Sequence, residues 1–337
     1  MSKRLIVIDP SYEVFYQDKL FQEGPLNRDD SLLPLIELKR KFSTQGVEIH
    51  TADYLDSLKE DDVYTIDYYS MGIIPKLNQK RDINYKAYLL MEPPIVQPKL
   101  YEQLPILTEI FDTVYVHNTH GDGYSLENVD QSKLRKFYWP QTFAGVLPDY
   151  WNNQKRQSKI VVVNGKHKAP KSNRELYSHR INAMAALAKD NMIDLYGRGW
   201  EHLLTRNSLF WSYIKNYRTL MRIYRGACDS KYEVLSRYQF SLCFENMIMD
   251  GYVTEKIFDC LYVGTIPIYW GAPDISDYVP SEAFIDFRNF SSYAELSNYI
   301  KNLSDEKISS MRMAGRSFLE SDFFYNFYYK SLESIIK

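Results

Sequence analysis

The side chains most able to do chemistry lie in residues 239–271. Their pattern predicts a buried strand, a polar loop, a helix that begins near Thr254 and a second apolar strand. The loop therefore follows the carboxyl end of a strand, where open α/β sheets bind their ligands. Free N–H groups and the positive end of the dipole at the helix start attract phosphate. We expect an anionic ligand to bind at this loop.

The loop and the first helical turn supply a positive charge and several hydrogen-bonding groups. Lys256 would add a point charge at a phosphate, and Tyr252 would add a hydroxyl donor. The Glu255 carboxylate suits a ribose or sugar hydroxyl, because a hydroxyl group needs an acceptor. The alternative is that Glu and Lys in a first helical turn are merely solvated. The candidate ligand-binding residues of this stretch are Glu245, Asn246, Tyr252, Thr254 (expected to cap the helix), Glu255 and Lys256.

A carboxylate in the amino-terminal half could accept a proton. A predicted strand ends at Met91, and Glu92 follows on a rigid turn made by Pro93 and Pro94. This places the carboxyl group at the carboxyl end of a strand, facing a cleft. A general base of this kind takes the proton from a hydroxyl nucleophile as the new bond forms. The alternative is that Glu92 only caps a turn.

Two histidines, His117 and His120, follow another predicted strand and could hydrogen-bond the hydroxyls of an acceptor. The pair has no third metal ligand nearby, and no DxD sequence is present. The adjacent pairs Asp29-Asp30 and Asp61-Asp62 are better explained as turn residues. We therefore expect no metal site and no required cofactor, with Mn²⁺ or Mg²⁺ at most stimulatory.

Apolar strands that alternate with amphipathic helices predict an α/β protein with parallel sheets. The predicted strands are 5–8, 47–50, 62–68, 86–91, 114–117, 159–164, 192–196, 239–244 and 265–270. The predicted helices are 32–42, 103–111, 175–189 and 254–263. At 337 residues the chain is expected to form about two domains. We assign the domains to 1–150 and 151–320, with a boundary in the polar stretch 149–159. We expect residues 321–337 to form a C-terminal helix docked on the body. A ligand is expected in the cleft between the two domains.

Composition excludes several classes of protein. The net charge of −2 argues against bulk attraction to nucleic acid. Three scattered cysteines fit a reducing cytoplasm, and no apolar run is long enough to span a bilayer. The segment 202–225 is rich in basic and aromatic residues. Such a segment can lie on an anionic membrane, at the inner face, or face a phosphorylated acceptor, and the alternative is an amphipathic helix packed on its own domain. Its basic residues are Arg206, Lys215, Arg218, Arg222 and Arg225.

The order FEN, YVTEK, helix, and an apolar strand with Pro267 and a WG pair resembles the donor-binding signature of the α-1,3/4-fucosyltransferases, glycosyltransferase family 10. Residues 160–200, with IVVVNGKHKAP and IDLYGRGW, resemble the first strand, helix and second strand of the same domain. KYEVLSRYQF at 231–240 and Asp286-Phe287 add to the match. The resemblance covers about residues 159–290.

The resemblance implies a GT-B fold, in which two Rossmann-like domains face each other across a cleft and the C-terminal one holds a nucleotide sugar. It implies GDP-fucose as the donor and an inverting transfer to a hydroxyl of an acceptor oligosaccharide or glycolipid, such as an α-1,3 transfer to GlcNAc or Glc in a surface polysaccharide or lipopolysaccharide. By the same resemblance Asn246, Tyr252, Glu255 and Lys256 bind the donor. Lys231, which opens the stretch KYEVLSRYQF, is a further candidate donor-binding residue. Glu92 in MEPP resembles the family's proposed general base.

The leaving nucleotide gains charge as the glycosidic bond breaks, so a cation must offset it. Lys256, the N-terminus of the helix and one arginine together can offset the charge on the leaving nucleotide. Arg225 precedes Lys231 by a few residues, as the diphosphate arginine of the family does, while Arg198 and Arg222 are rivals. Two other functions stay open, namely the same chemistry with another GDP-sugar and a non-catalytic nucleotide- or glycan-binding protein. The oligomeric state stays open as well.

A first prediction concerns metal ions. Because the sequence has no DxD, glycosyl transfer measured in the presence of EDTA should stay largely intact. Complete loss of transfer that added Mn²⁺ restores would contradict it.

Overall fold

The computed structural model describes residues 3–59, 62–72, 82–168, 170–203 and 211–337. The chain forms two compact units. The first unit combines Met1–Thr142 with Asn326–Lys337, and the second is Phe143–Tyr325.

The strands and α-helices of the described ranges are numbered in chain order. The strands are β1 (Lys3–Asp9), β2 (Glu48–Thr51), β3 (Tyr64–Ser70), β4 (Ile83–Leu89), β5 (Thr113–Val116), β6 (Leu134–Lys136), β7 (Gln157–Val163), β8 (Ile193–Tyr196), β9 (Tyr238–Phe244), β10 (Ile266–Trp270) and β11 (Ile285–Asp286). The helices are α1 (Leu33–Thr44), α2 (Pro98–Glu102), α3 (Leu104–Ile110), α4 (Pro148–Trp151), α5 (Tyr177–Leu187), α6 (Trp211–Ile223), α7 (Lys231–Leu235), α8 (Glu255–Tyr262), α9 (Tyr293–Lys301), α10 (Asp305–Leu319), α11 (Asp322–Phe324) and α12 (Ser331–Ile335).

The first unit is built on a parallel sheet in the order β2-β1-β3-β4-β5-β6. Strand β1, which pairs with β2 on one side and β3 on the other, carries the run Leu5–Ile8, whose side chains are all fully buried. Leu5 and Val7 pack on one face of the sheet, and Ile6 and Ile8 on the other. A strand that is apolar on both faces belongs in the middle of a parallel sheet covered by helices, as the sequence predicted.

The second unit repeats the same topology in the order β11-β10-β9-β7-β8, again with every pair parallel. The chain crosses from β7 to β8 through α5 and from β9 to β10 through α8. Since β7 and β9 are neighbours from which the chain proceeds in opposite directions, the order reverses between them. Ligands of open α/β sheets bind at the carboxyl ends of two such strands.

The structure confirms the strands and helices predicted from apolar periodicity, with ends that differ by at most three residues. Pattern analysis missed the short strands β6 and β11, which have only three and two residues. Such short strands offer too few apolar positions to show an alternation.

The division of the chain differs from the predicted one at residue 150. Residues from Phe143 onward pack with the second unit, where the Phe143 ring meets Tyr262 edge-on and the Leu147 N–H donates to the Tyr262 carbonyl at 2.8 Å. The stretch predicted to be a polar linker contains α4 and Arg156. The guanidinium of Arg156 donates to the carbonyls of Tyr150, Trp151 and Val263, which ties this stretch to the unit.

The C-terminal segment also has a more definite place than predicted. Residues 326–337 belong to the first unit. Leu332, Ile335 and Ile336 join a core cluster that includes Ile6 of β1 and Ile36 of α1. The two ends of the chain therefore stabilise one sheet.

Part of the basic and aromatic segment forms helix α6. Tyr213, Leu220 and Ile223 are buried in the core of the second unit, which agrees with an amphipathic helix packed on its own domain. Arg206 lies outside the described residues. Within the described ranges, no helix has the length and apolar content needed to cross a bilayer.

Candidate functional site

The carboxyl ends of β7 and β9 are joined by an arginine that the sequence analysis did not select. Arg180 of α5 is 3% exposed, and its Nη1 donates to Asn164 Oδ1 at 2.9 Å. Its Nη2 donates to the carbonyls of Phe244 and Glu245, the latter at 3.0 Å. Burial lowers the pKa of this guanidinium. Arg180 therefore fixes the two strand ends between which the sheet order reverses.

Glu245, the first residue after β9, carries a fully buried carboxylate. Its Oε1 accepts from the backbone N–H of Thr254 at 2.9 Å, and its Oε2 accepts from the Thr254 hydroxyl at 2.9 Å. Lys256 Nζ donates to Oε2 at 3.0 Å. A buried carboxylate needs this number of partners, because an unpaired charge in the interior is very costly. Glu245 thus joins the end of β9 to the beginning of α8.

Close packing around this carboxylate requires a glycine. A Cβ added to Gly271, directly after β10, would lie 2.5 Å from Glu245 Cγ and 2.6 Å from Tyr269 Oη. The WG pair of the sequence motif therefore has a steric reason, since only hydrogen fits at this position.

The loop between β9 and α8 is held on both sides. Asn246 accepts at its backbone carbonyl from the N–H of Leu176, at 3.0 Å. The N–H of Gly251 donates to the Asp274 carboxylate at 2.8 Å. Asn246 Nδ2 donates to the hydroxyl of Tyr252, whose side chain is buried, at 3.2 Å. The loop residues predicted to bind a ligand therefore occupy defined positions.

A cavity of about 140 Å³ lies against the end of β9 and the first turns of α8. Lys231, Glu255 and Lys256, three residues predicted from the sequence, line it together. Asn164, Arg180 and Asp259 line it as well. Lys231 Nζ pairs with Asp259 Oδ2 at 2.8 Å, and Lys256 Nζ lies 3.6 Å from Glu255 Oε1. The site thus combines three cations with hydrogen-bond acceptors, which suits a ligand with both phosphate and hydroxyl groups.

The charges of the cavity shape each other's proton affinities. Burial disfavours the charge of Lys256, but the Glu245 and Glu255 carboxylates outweigh it and raise the pKa of the ammonium group above its ordinary value. For Glu255 burial acts to raise the pKa, and Lys256 and Lys231 together lower it below the usual range. Lys256 is therefore a cation and Glu255 an anion at neutral pH.

Asp259 behaves differently, although it is paired with Lys231. Burial raises the pKa of this carboxyl to about 6, Glu255 one turn away adds repulsion, and Lys231 offsets only part of the shift. It is the group of this cavity that protonates in mildly acidic solution.

Thr254 corrects one prediction. It is the residue before α8, but its side chain makes no capping bond to the helix. Its hydroxyl donates to Glu245 and lies 2.9 Å from Lys256 Nζ, because the buried carboxylate is the stronger acceptor nearby. Thr254 is 1% exposed, so its side chain contributes to the site by holding Glu245 in place.

Two of the three candidate arginines, Arg225 and Arg198, lie in different surroundings. The Arg225 guanidinium pairs with the buried carboxylate of Asp194 at 2.7 Å and does not line the cavity. Arg198 follows the carboxyl end of β8 and is exposed. Its position at the ligand-binding edge of the sheet makes Arg198 the better candidate for an incoming anion.

Glu92 belongs to the first unit and follows the carboxyl end of β4. The carbonyl of Met91, just before it, accepts from His117 Nε2 at 2.8 Å, and its own carbonyl accepts from the Tyr101 hydroxyl at 3.1 Å. The peptide groups on both sides of Glu92 are therefore fixed. Its side chain is half-buried, and its role as a base stays a prediction.

His117 is 1% exposed, which contradicts a direct contact with an acceptor in this conformation. Burial, aided by the nearby Lys136, lowers the pKa of its ring to about 3. The ring is therefore neutral, and its Nε2 must carry the hydrogen that it donates to Met91. His120 is exposed, so a contact with an acceptor stays a prediction for this residue.

Two charged residues of the site, Arg180 and Asp259, escaped the sequence analysis, as did the polar lining residue Asn164. Both charged residues are buried within a helix. Arg180 shares a face with Met184 and Leu187, and Asp259 lies one turn after Glu255. A charge inside an apolar stripe was the available signal. Among the described residues no group of three or more His, Cys, Asp or Glu side chains could hold a metal ion.

Known proteins resemble parts of this chain in sequence. Residues 153–313 match glycosyltransferase family 10 (fucosyltransferase) C-term. Alpha-(1,3)-fucosyltransferase FucT of Helicobacter pylori is 43% identical over 84 residues, which are 25% of this chain and 18% of that protein. GDP-fucose protein O-fucosyltransferase 3 of Rattus norvegicus is 28% identical over 217 residues, 63% of this chain and 40% of that protein. The match thus spans less than half the length of these relatives.

Solved structures resemble the whole chain in fold. A crystal structure of an alpha1,3-fucosyltransferase covers 99% of this chain and 89% of its own, with a TM-score of 0.53 and 16% identity. HepE of Anabaena in complex with UDP covers 98% of both chains, with a TM-score of 0.57 and 11% identity. The fold is the α/β fold of the GT-B glycosyltransferases, as the resemblance implied.

The raised pKa of Asp259 generates a prediction about stability. The folded protein holds this proton more tightly than the unfolded chain, whose carboxyl has a pKa near 3.8. The contribution of Asp259 to the free energy of unfolding should therefore increase by about 2 kcal/mol as the pH falls from 7.5 to 4.5. Urea unfolding at both pH values should show this gain relative to Asp259→Asn, which cannot titrate. A constant difference between the two proteins, or a loss, would refute the protonation of this carboxyl.

Proposed function

Because residues 153–313 match the C-terminal domain of glycosyltransferase family 10, the fucosyltransferases, we propose that this chain transfers L-fucose from GDP-fucose to a hydroxyl group of an acceptor glycan. The observation that carries the proposal is the gathering of Lys231, Glu255 and Lys256 around one cavity at the end of β9. These residue types meet where a parallel sheet binds its ligand, and inside the matched region.

The diphosphate of the donor binds at the start of α8. The helix dipole and the free N–H groups favour negative charge there, and the pKa of Lys256 keeps its charge positive. Arg198 approaches from the turn after β8. As the bond to the sugar breaks, these positive groups offset the charge that develops on the leaving nucleotide, without a metal ion.

Glu255 and Asn246 bind the sugar parts of the donor. The Glu255 carboxylate is ionised and partly exposed, so it can accept hydrogen bonds from ribose or fucose hydroxyls. The same carboxylate would repel a phosphate, which places the diphosphate toward Lys256 and the hydroxyls toward Glu255.

The acceptor reacts in a single inverting displacement. Glu92 takes the proton of the acceptor hydroxyl, and the oxygen of that hydroxyl forms the bond to the anomeric carbon of fucose. The bond between fucose and GDP breaks at the same time, and its electron pair goes to the phosphate oxygen. The acceptor is an oligosaccharide or glycolipid, and the linkage is α-1,3 to GlcNAc or Glc of a surface polysaccharide or lipopolysaccharide. The fixed peptide groups around Glu92 support this role, because a base must be held in place to act.

Donor binding can be tested at Lys256. Lys256→Met should weaken GDP and GDP-fucose binding by about 10- to 100-fold, the effect of one lost charge-assisted contact. Lys256→Arg, which keeps the charge beside Glu245, should bind much more tightly than the Met variant. Calorimetric titration gives the affinities, and near-UV circular dichroism confirms that each variant is folded. A folded Met variant with wild-type affinity would exclude Lys256 from the donor site.

The transfer itself can be tested on a glycan array with GDP-fucose, GDP-mannose and a UDP-sugar as donors. We expect fucose transfer only from GDP-fucose. Glu92→Gln should lower kcat by about 10²- to 10⁴-fold and leave donor affinity unchanged, because the base acts in the chemical step. Glu102→Gln, an exposed glutamate of α2, is the control and should transfer at the wild-type rate. Transfer from another GDP-sugar, or full activity of Glu92→Gln, would contradict the proposed donor or the proposed base.

A further inference from the structure

Helix α6 presents one face to solvent and buries the opposite one. Trp211 is 75% exposed and Ile214 is 42% exposed, and Lys215, Arg218 and Arg222 are exposed as well. At about 100° per residue these five side chains fall within an arc of about 100°. Tyr213 and Leu220, fully buried, lie on the other side of the helix. We call the five exposed side chains the α6 stripe.

All the charged residues of the α6 stripe are basic. The helix has no Asp or Glu, so its three cations are not balanced within the helix. No ion pair to Lys215, Arg218 or Arg222 is found in the part of the chain that the structure describes. The neighbouring carboxylate of Glu201 accepts from the Tyr224 hydroxyl at 3.0 Å, and Asp194 is occupied by Arg225. The protein as a whole has a net charge of −2, so this stripe is a local concentration of positive charge.

The α6 stripe also carries apolar side chains that are exposed to solvent and do not pack in the core of the protein. Among the described residues Trp211 is the most exposed large apolar side chain, while Trp151 and Trp200 are buried. A tryptophan ring with a polar edge is favoured at the boundary between water and the lipid headgroups. Cations beside it are attracted to anionic lipids.

We propose that the α6 stripe binds the surface of an anionic bilayer, with the helix parallel to the membrane, Trp211 and Ile214 inserted at the headgroup level and the three cations on lipid phosphates. A helix about 20 Å long presents them as one row, so all can contact a flat surface at once. The inference is independent of the proposed transfer reaction, since the stripe lies on solvent-exposed residues that do not line the donor cavity.

A bilayer fits this surface better than a soluble polyanion does. A nucleic acid or an acidic polysaccharide would use the cations and could stack on Trp211, but it would leave the exposed Ile214 in water. Only a surface with both anionic charge and an apolar layer beneath it satisfies both parts of the stripe.

The test uses the full-length protein and sedimentation of phosphatidylcholine vesicles with and without one third phosphatidylglycerol. We expect binding to the anionic vesicles only, and loss of that binding at high salt. Replacing all three cations (Lys215→Gln, Arg218→Gln, Arg222→Gln) should weaken it by about 100-fold, or roughly fivefold for each charge. The control Lys99→Gln, Lys155→Gln, Lys307→Gln removes three exposed lysines elsewhere and should bind like the wild type.

Insertion can be measured separately with brominated lipids, which quench tryptophan fluorescence on contact. Quenching should be strong for the wild-type protein and nearly absent for Trp211→Phe, a change that keeps an aromatic ring. Equal binding by both triple variants, binding to neither kind of vesicle, or quenching that persists in Trp211→Phe would overturn the proposal. Salt-sensitive binding to heparin without binding to anionic vesicles would also overturn it, in favour of a soluble polyanion.

Discussion

The candidate site depends on one buried ion, the carboxylate of Glu245. Its partners are Thr254 at two atoms and Lys256, and Gly271 leaves the space that it occupies. Removing one partner of such a buried pair costs about 3–5 kcal/mol, because the remaining charge has no water to solvate it. The strand end, the helix start and the next strand are therefore fixed relative to each other before any ligand binds. A preorganised site of this kind spends little free energy on reorganisation when an anion arrives.

The same sheet order occurs in both units, but their carboxyl edges differ in chemistry. In the first unit the edge between β1 and β3 holds Asp9, whose carboxylate accepts from the hydroxyls of Tyr68 at 2.7 Å and Tyr16 at 3.0 Å. In the second unit the corresponding edge holds Arg180, Lys256 and a cavity. The fold thus supplies the place, and the residue types at the strand ends decide whether it suits an anion.

Local patterns predicted the strand β9, the helix α8 and the grouping of Glu255 with Lys256, because their periodicity and spacing are set by neighbours in sequence. They failed where contacts join distant segments. The polarity of the stretch around Arg156 suggested a linker, yet its guanidinium donates to the carbonyl of Val263, 107 residues away. Arg180 and Thr254 take their roles from Glu245, a contact that no local pattern contains. The burial of His117 has the same cause, because its ring donates to the carbonyl of Met91, a residue that follows the distant strand β4.

A crystal structure of the protein with GDP bound would test the proposed donor site most directly. We expect the diphosphate at the start of α8, with an oxygen within hydrogen-bonding distance of Lys256 Nζ and the ribose hydroxyls near Glu255. A nucleotide bound at the carboxyl edge of the first unit's sheet, or one whose phosphates lie away from α8, would contradict the proposed donor site.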